Sequence, residues 1–385
     1  MKPDIQRIAI NTGGGDAPGL NAVIRAVTYS ALNRGWECVG IRDGYNGLLS
    51  PKDYSNGSGL INLTRERVKG ITHLGGTILG TTNKGNPLKF PVQQPDGTWI
   101  DIDRTDELIA AFKKEQIDAV VAIGGDGSLG IANALAKKGM RVVGVPKTID
   151  NDLENTDFTF GFDTAVSFAT ECLDRLHSTA ESHQRIIVVE VMGRYAGWIA
   201  LHSGIAGGAG IILIPEIPYD INVVAEAIRE RQRTGKQYFI VVVAEGAKPK
   251  DGEISIIGKN IGQNERLGGV GHKIANQLEE MTGKESRVVV LGHLLRGGSP
   301  TAFDRLISLR FGAAAVRALE EGHSGVMIAL DEPHVRTVPL EEATKRMKTV
   351  PTDSDTILAA RDLGISFGDD FLRFDDVMPE FGYEV

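Results

Sequence analysis

The apolar residues of this chain fall in short continuous runs that break on glycine or a carboxylate. Ala119-Val120-Val121-Ala122-Ile123 meets Gly124-Gly125-Asp126-Gly127-Ser128, and Ile131-Ala132-Asn133-Ala134-Leu135-Ala136 follows with helical spacing. That order predicts a buried strand, a tight turn and a helix. The chain opens the same way: Ile8-Ala9-Ile10, the loop Asn11-Thr12-Gly13-Gly14-Gly15-Asp16, then a helix over 22–32. Further strands are expected at 38–41, 142–145, 185–191, 211–216 and 239–246, one strand and its turn within 286–298, and helices at 105–114 and 164–180. The polar residues 86–104 read as an exposed excursion with a small hairpin, and the glycine-rich 247–270 as a surface insertion or mobile flap. From Pro333 onward the chain reads as helical and acidic. Strands alternating with helices predict an α/β fold with parallel sheets.

In such sheets ligands collect beyond the carboxyl ends of the strands, where a helix N-terminus offers free N–H groups to an anion. Gly124, Gly125 and Gly127 leave space for a phosphate, and Asp126 is suited to the divalent cation that phosphate brings. Taken alone, Gly-Gly-Asp-Gly is equally an ordinary turn, and for Asp150 and Asp152 in Lys147-Thr148-Ile149-Asp150-Asn151-Asp152 turn capping is the favoured reading. Convergence of several such strand ends on one edge favours chemistry. The first loop lacks both Gly-x-Gly-x-x-Gly and a terminal Gly-Lys-Ser/Thr, so dinucleotide and P-loop modes are disfavoured. Arg185, Arg194, Arg287, Arg296 and His293 at strand or helix ends suit a phosphorylated anion.

Composition narrows the classes. With 385 residues, two lobes are expected, and 42% hydrophobic with 24% charged residues describes a soluble globular protein. A net charge of -8 argues against nucleic-acid binding. Cys38 and Cys172 support neither a disulfide framework nor a zinc site, and no signal peptide or spanning segment is apparent, so a cytoplasmic protein with no membrane role is expected.

Gly-Gly-Asp-Gly-Ser at 124–128, Pro-Lys-Thr-Ile-Asp-Asn-Asp at 146–152, Ser-His-Gln-Arg at 182–185, Met-Gly-Arg at 192–194 and Leu-Gly-His-Leu-Leu-Arg-Gly-Gly-Ser-Pro at 291–300 together resemble the 6-phosphofructokinases. The opening Gly-Gly-Gly-Asp-Ala-Pro-Gly-Leu-Asn agrees, and the resemblance runs in order from about residue 5 to about 330. It implies two Rossmann-like three-layer α/β lobes with the active site in the cleft between them. The donor lobe would hold 1–161 and roughly 296–345, the fructose 6-phosphate lobe 162–295 and 346–385. It further implies transfer of a phosphoryl group to the 1-hydroxyl of fructose 6-phosphate, a step of glycolysis.

By motif position Asp150 would be the general base, with Thr148, Lys147 and Arg194 as the other catalytic groups. Asp126 would hold Mg²⁺, while Gly15, Asn83, Lys84, Gly125, Gly127 and Ser128 would bind the donor. Met192, Gly193, Arg194, Glu245, His293 and Arg296 would line the sugar-phosphate pocket with Thr148 and Asp150. Arg185 and Arg287 match arginines that in this family reach across a subunit interface, which implies a homotetramer or a homodimer.

Two positions point to different donors. Gly127 follows the ATP-using pattern, because an aspartate there would crowd and repel the α-phosphate. Lys147 follows the pyrophosphate-using or mixed branch. Lysine adds attraction to either donor, so the expectation is ATP, with pyrophosphate as the alternative. Asn83-Lys84 replaces the family's frequent Arg-Phe, without a fork for bidentate phosphate contact. Tyr29, His177 and Gln237 stand where the bacterial effector site has basic residues, so regulation by ADP and phosphoenolpyruvate is expected to be altered or absent. NAD and lipid kinases, nicotinamide-dependent dehydrogenases and a non-catalytic regulatory subunit are the competing classes. Met-Gly-Arg, the missing dinucleotide motif and the intact Asp126, Asp150 and Arg194 argue against them in turn.

Overall fold

A computed structural model describes residues 4–55, 57–258 and 266–369. They divide into two compact units, 4–165 with 296–348, and 166–258 with 266–295 and 349–369. In chain order the strands of the first unit are β1 (Arg7–Thr12), β2 (Glu37–Ile41), β3 (Leu60–Asn62), β4 (Phe90–Gln93), β5 (Trp99–Ile102), β6 (Ala119–Gly124) and β7 (Arg141–Pro146). The second unit holds β8 (Ile186–Val191), β9 (Ile211–Leu213), β10 (Phe239–Ala244), β11 (Ile256–Gly258), β12 (Arg266–Leu267) and β13 (Ser286–Val290). The chain then returns to the first unit for β14 (Val326–Asp331) and β15 (His334–Pro339).

The first unit is built on a seven-stranded sheet, β15-β14-β7-β6-β1-β2-β3. From β14 to β2 the neighbours run parallel, and the edge strands β15 and β3 are antiparallel. Strand alternation sends successive side chains to opposite faces. Ile8, Ile10, Val121 and Ile123 join a cluster containing Leu20, Val27 and Phe311, from helices Leu20–Leu32 and Ala302–Glu320. Ala9, Val120 and Ala122 join a separate cluster containing Leu108, Phe112 and Leu135, from helices Thr105–Lys114 and Asp126–Lys137. Covered faces explain why these strands read as unbroken apolar runs.

The second unit repeats the plan with an all-parallel sheet, β13-β8-β10-β9. Helices Ile221–Arg233 and Val270–Thr282 bury Ile228 and Ile274 against Ile186, Leu213 and Val241. Helix Trp198–Ala206 packs close to the sheet through Gly204, where a Cβ would come within 2.6 Å of Ile212 Cδ1.

The excursion at 86–104 contains the β4–β5 antiparallel hairpin. The stretch from Pro333 departs from the expected helix: β15 pairs antiparallel with β14, and short helices follow at Leu340–Ala343 and Asp355–Asp362. Free N–H and C=O groups along β14 recruit this segment as an edge strand, overriding its weak local preference. Within 247–270, β11 and β12 pair antiparallel, while 259–265 lie outside the described residues, as does the tail 370–385. Among the described residues no helix is long and apolar enough to cross a membrane.

Phe311 is fully buried between helix and sheet in the first unit. Phe311→Ala is expected to destabilise that unit by about 3–5 kcal/mol, read as a lower urea midpoint.

Candidate active site

In the first unit β1 and β6 are neighbours in parallel, yet their following helices pack on opposite faces of the sheet. Their carboxyl ends therefore flank a topological switch point, where an open α/β sheet forms its ligand crevice. Register places Thr12 opposite Ile123 and Gly124 opposite Pro146. Three loops thus leave the sheet together. Gly13 N–H donates to the Ile123 carbonyl at 3.0 Å, Gly14 N–H to the Thr82 carbonyl at 3.2 Å, and Lys147 N–H to the Gly124 carbonyl at 3.0 Å.

The glycines at this edge are forced by close approach. A Cβ on Gly13 would sit 2.6 Å from Ser128 Oγ, and one on Gly124 would sit 2.2 Å from Ser128 Cβ. Gly125 precedes helix Asp126–Lys137 and supplies no side-chain cap, which leaves first-turn N–H groups for an anion. Asp126 and Gly127 are exposed on that first turn, and Asn83 and Lys84 are exposed beside Thr82.

Charge is concentrated around Gly15. The Lys147 ammonium donates to the Gly15 carbonyl, and Arg296 Nη1 donates to the Asp16 carbonyl at 3.1 Å. Burial pushes Lys147 down to about 8, the Arg296 cation pushes the same way, and Asp16, Asp152 and Asp150 oppose them. Asp152 is pushed up to about 7, chiefly by burial and then by the charges of Asp150 and Asp126. Thr148 Oγ1 accepts from the Asp150 N–H at 3.1 Å, and the Thr148 carbonyl accepts from Thr159 Oγ1 at 2.7 Å. These bonds hold the aspartate turn as a defined backbone shape.

The second unit also gathers its strand ends. Glu245 N–H donates to the Val191 carbonyl at 2.9 Å, Gly246 N–H to the Gly193 carbonyl at 3.0 Å, and Leu291 N–H to the Glu190 carbonyl at 3.0 Å. Met192, Gly193, Arg194, Glu245 and the exposed His293 therefore follow three neighbouring strands, β8, β10 and β13. Gly193 has φ +143°, and a Cβ there would approach the Ala196 carbonyl to 2.8 Å. Arg194 lies over the Tyr195 ring, 5.2 Å from its centroid. Arg185 and Arg287 share one carboxylate, Arg185 Nε lying 2.5 Å from Glu285 Oε2 while Arg287 pairs with Oε1. Arg296 belongs to the first unit. Of the residues at the effector positions, His177 Nε2 is engaged with the Gly207 carbonyl at 2.7 Å.

Several residues that hold these loops were not singled out from sequence. Glu285 is one. Glu216 accepts from Gly197 N–H at 3.0 Å and from Val350 N–H at 2.8 Å, anchoring the end of the loop that carries Met192 to Arg194. Lys348 bonds the backbone that follows Asp152. Nothing about their spacing marks them, because Glu216 and Lys348 act on backbone brought near by folding and Glu285 acts on two arginine side chains.

Glycine loops and carboxylates at one switch point, with arginines at the edge of a second parallel sheet, are the equipment of an α/β phosphotransferase. Comparison with known proteins narrows that class. The family model described as Phosphofructokinase matches residues 7–319, and the chain belongs to the phosphofructokinase family. It is 52% identical over 368 residues to a protein of Chloroflexus aurantiacus named ATP-dependent 6-phosphofructokinase, covering 95% of this chain and 98% of that one. It is 49% identical over 351 residues to a protein of Amycolatopsis mediterranei named pyrophosphate–fructose 6-phosphate 1-phosphotransferase, covering 90% and 97% respectively. Among solved structures, the Pichia pastoris phosphofructokinase in the T-state matches with a TM-score of 0.75 and 31% identity, over 94% of this chain and 37% of that longer one.

The raised Asp152 carboxyl has a definite sign for stability. Its proton is held more tightly in the folded chain, so its contribution is complete below about pH 4 and is lost as pH rises through about 7. Urea midpoints of the ligand-free protein between these limits are expected to fall less steeply with pH in Asp152→Asn than in the wild type.

Proposed function

We propose that this chain is an ATP-dependent 6-phosphofructokinase, transferring the terminal phosphoryl group of ATP to the 1-hydroxyl of fructose 6-phosphate. The observation that carries the reading is the aspartate turn, whose Lys147 is bonded to Gly124 and Gly15 of the two glycine loops. A proton acceptor and a phosphate cradle thereby share one edge of one sheet. Asp150 takes the proton of the attacking hydroxyl, and Thr148 holds the turn that presents it. The loop at Gly15, the N–H groups at Gly125 to Ser128, and the side chains of Asn83 and Lys84 bind the donor phosphates. Lys147 and Arg194 neutralise charge on the transferring group. Met192, Gly193, Glu245, His293 and Arg296 select the sugar phosphate.

The donor set also suits magnesium. Magnesium is commonly held by one or two carboxylates together with substrate phosphates. Asp126, whose charge reaches Asp152, is the residue that would hold Mg²⁺. When bound, the ion supplies charge neutralisation at the phosphates. We further propose a cytoplasmic homo-oligomer, a tetramer or a dimer, in which Arg185 and Arg287 serve a neighbouring subunit's 6-phosphate.

Pyrophosphate remains the second reading because Lys147 places a cation on the donor loop whatever the donor. Gly127 favours ATP: a Cβ built there meets no atom within 4 Å, so the glycine faces open space. Initial rates with fructose 6-phosphate and Mg²⁺, offering ATP and pyrophosphate separately, test the assignment. ATP alone is expected to support turnover, and faster turnover with pyrophosphate would reverse it. Asp150→Asn is expected to lower kcat about 10²–10⁴-fold with an unchanged melting curve. Gly127→Asp should fold normally and lose about tenfold or more in kcat/KM for ATP, through repulsion of the nucleotide.

A further inference from the structure

The turn that carries Asp150 is strained and supported from outside. Asn151 and Asn155 both take left-handed backbone, at φ 50° and 64°, a conformation that persists where surrounding contacts impose it. Asn151 is stabilised locally, its Oδ1 accepting from Thr159 N–H at 3.0 Å. The remainder is held by residues 346–348, a strap nearly two hundred positions further along, just before the chain enters the second unit. Met347 bridges antiparallel to Leu153, and Arg346 Nε pairs with Glu154 at 2.9 Å. Lys348 N–H donates to the Asp152 carbonyl at 2.9 Å. Its ammonium donates to the carbonyls of Thr156 at 3.0 Å and Asp157 at 2.8 Å.

We infer that Lys348 is a positioning residue for the general base, fixing the backbone from Asp152 to Asp157 so that Asp150 meets the sugar hydroxyl in line with the donor. The inference rests on the phosphotransferase reading above. A lysine suits the task because its three donors can serve two turn carbonyls while its backbone serves a third. Contacts to charged donors are the stronger hydrogen bonds. Its bonds to this turn go to the carbonyls of Asp152, Thr156 and Asp157, so the effect of removing it is expected in kcat more than in KM for ATP. Misplacing a reacting group by about 1 Å costs on the order of 10²-fold in rate, which sets the scale of the effect.

Steady-state kinetics of the wild type, Lys348→Met, Asp150→Asn and the double variant, with ATP, Mg²⁺ and fructose 6-phosphate, provide the test. Lys348→Met is expected to lower kcat roughly 10- to 100-fold while KM for ATP stays within about twofold. Because Lys348 acts through Asp150, the double variant is expected to be no slower than Asp150→Asn alone. Lys348→Arg, which keeps a cation beside the same carbonyls, should recover part of the loss. Unchanged kcat in Lys348→Met, or penalties that multiply in the double variant, overturns the inference and leaves the proposed activity standing. A wild type that phosphorylates no fructose 6-phosphate with any donor overturns the activity itself. If Lys348→Met does not fold, Lys348→Arg takes its place in the Asp150→Asn background: no further loss supports the inference, and a further drop overturns it.

Discussion

A parallel sheet covered by helices on both faces leaves one place for chemistry, the edge where its strands end. Inside the first unit the side chains of β1, β6 and β7 are committed to two separate cores, and their backbone groups are committed to one another. The residues just past Thr12, Gly124 and Pro146 are released from both demands. Their N–H groups, carboxylates and cations can face a ligand only there. Helices leaving β1 and β6 in opposite directions open the crevice, and register brings the third loop beside it. Glycine at 13 and 124 follows from the same constraint, since Ser128 occupies the space a side chain would need.

Under the proposed function, electrostatics at this edge suit an anion that carries its own cation. Lys147 is partly discouraged from holding its proton, and Asp152 is encouraged to keep one. Incoming phosphate favours the charged lysine, and a divalent cation favours the ionised aspartate. Each shift is thus of the kind that a metal-bound phosphate donor relieves. Burial is the first cause of both, so the sheet that positions these groups also loads them.

The fold was legible because its strands are buried on both sides and therefore unbroken in sequence, and because glycine and aspartate punctuate each strand end. Helix 105–114 was legible from its spacing, and Asp106 and Glu107 at its start with Lys113 and Lys114 at its end match the helix dipole. The stretch after Pro333 was misread. Its acidic residues do begin a short helix at Leu340, but residues 334–339 become an edge strand through pairing that only β14 could offer. The motifs exposed the groups proposed to meet the ligand, such as Asp126, Asp150 and Arg194. They could not expose Glu216, Glu285 or Lys348, whose partners are distant in sequence or are themselves arginines valued for another reason. A residue that binds backbone leaves no periodic or compositional trace.

Gly127 and Lys147 gave opposite hints about the donor, and their surroundings explain how both can belong to one enzyme. Gly127 stands on the exposed first turn of its helix with open space before it, so its contribution is room. Lys147 is buried, and its ammonium is already engaged by the Gly15 carbonyl. Its charge acts on the loop proposed to cradle phosphate, a feature common to both donors. Steric room discriminates between a nucleotide and pyrophosphate, whereas a cation behind the shared phosphate loop strengthens both. A lysine can therefore persist in an ATP-using enzyme at no cost to selectivity, and the exposed glycine is the position where selectivity can be exerted.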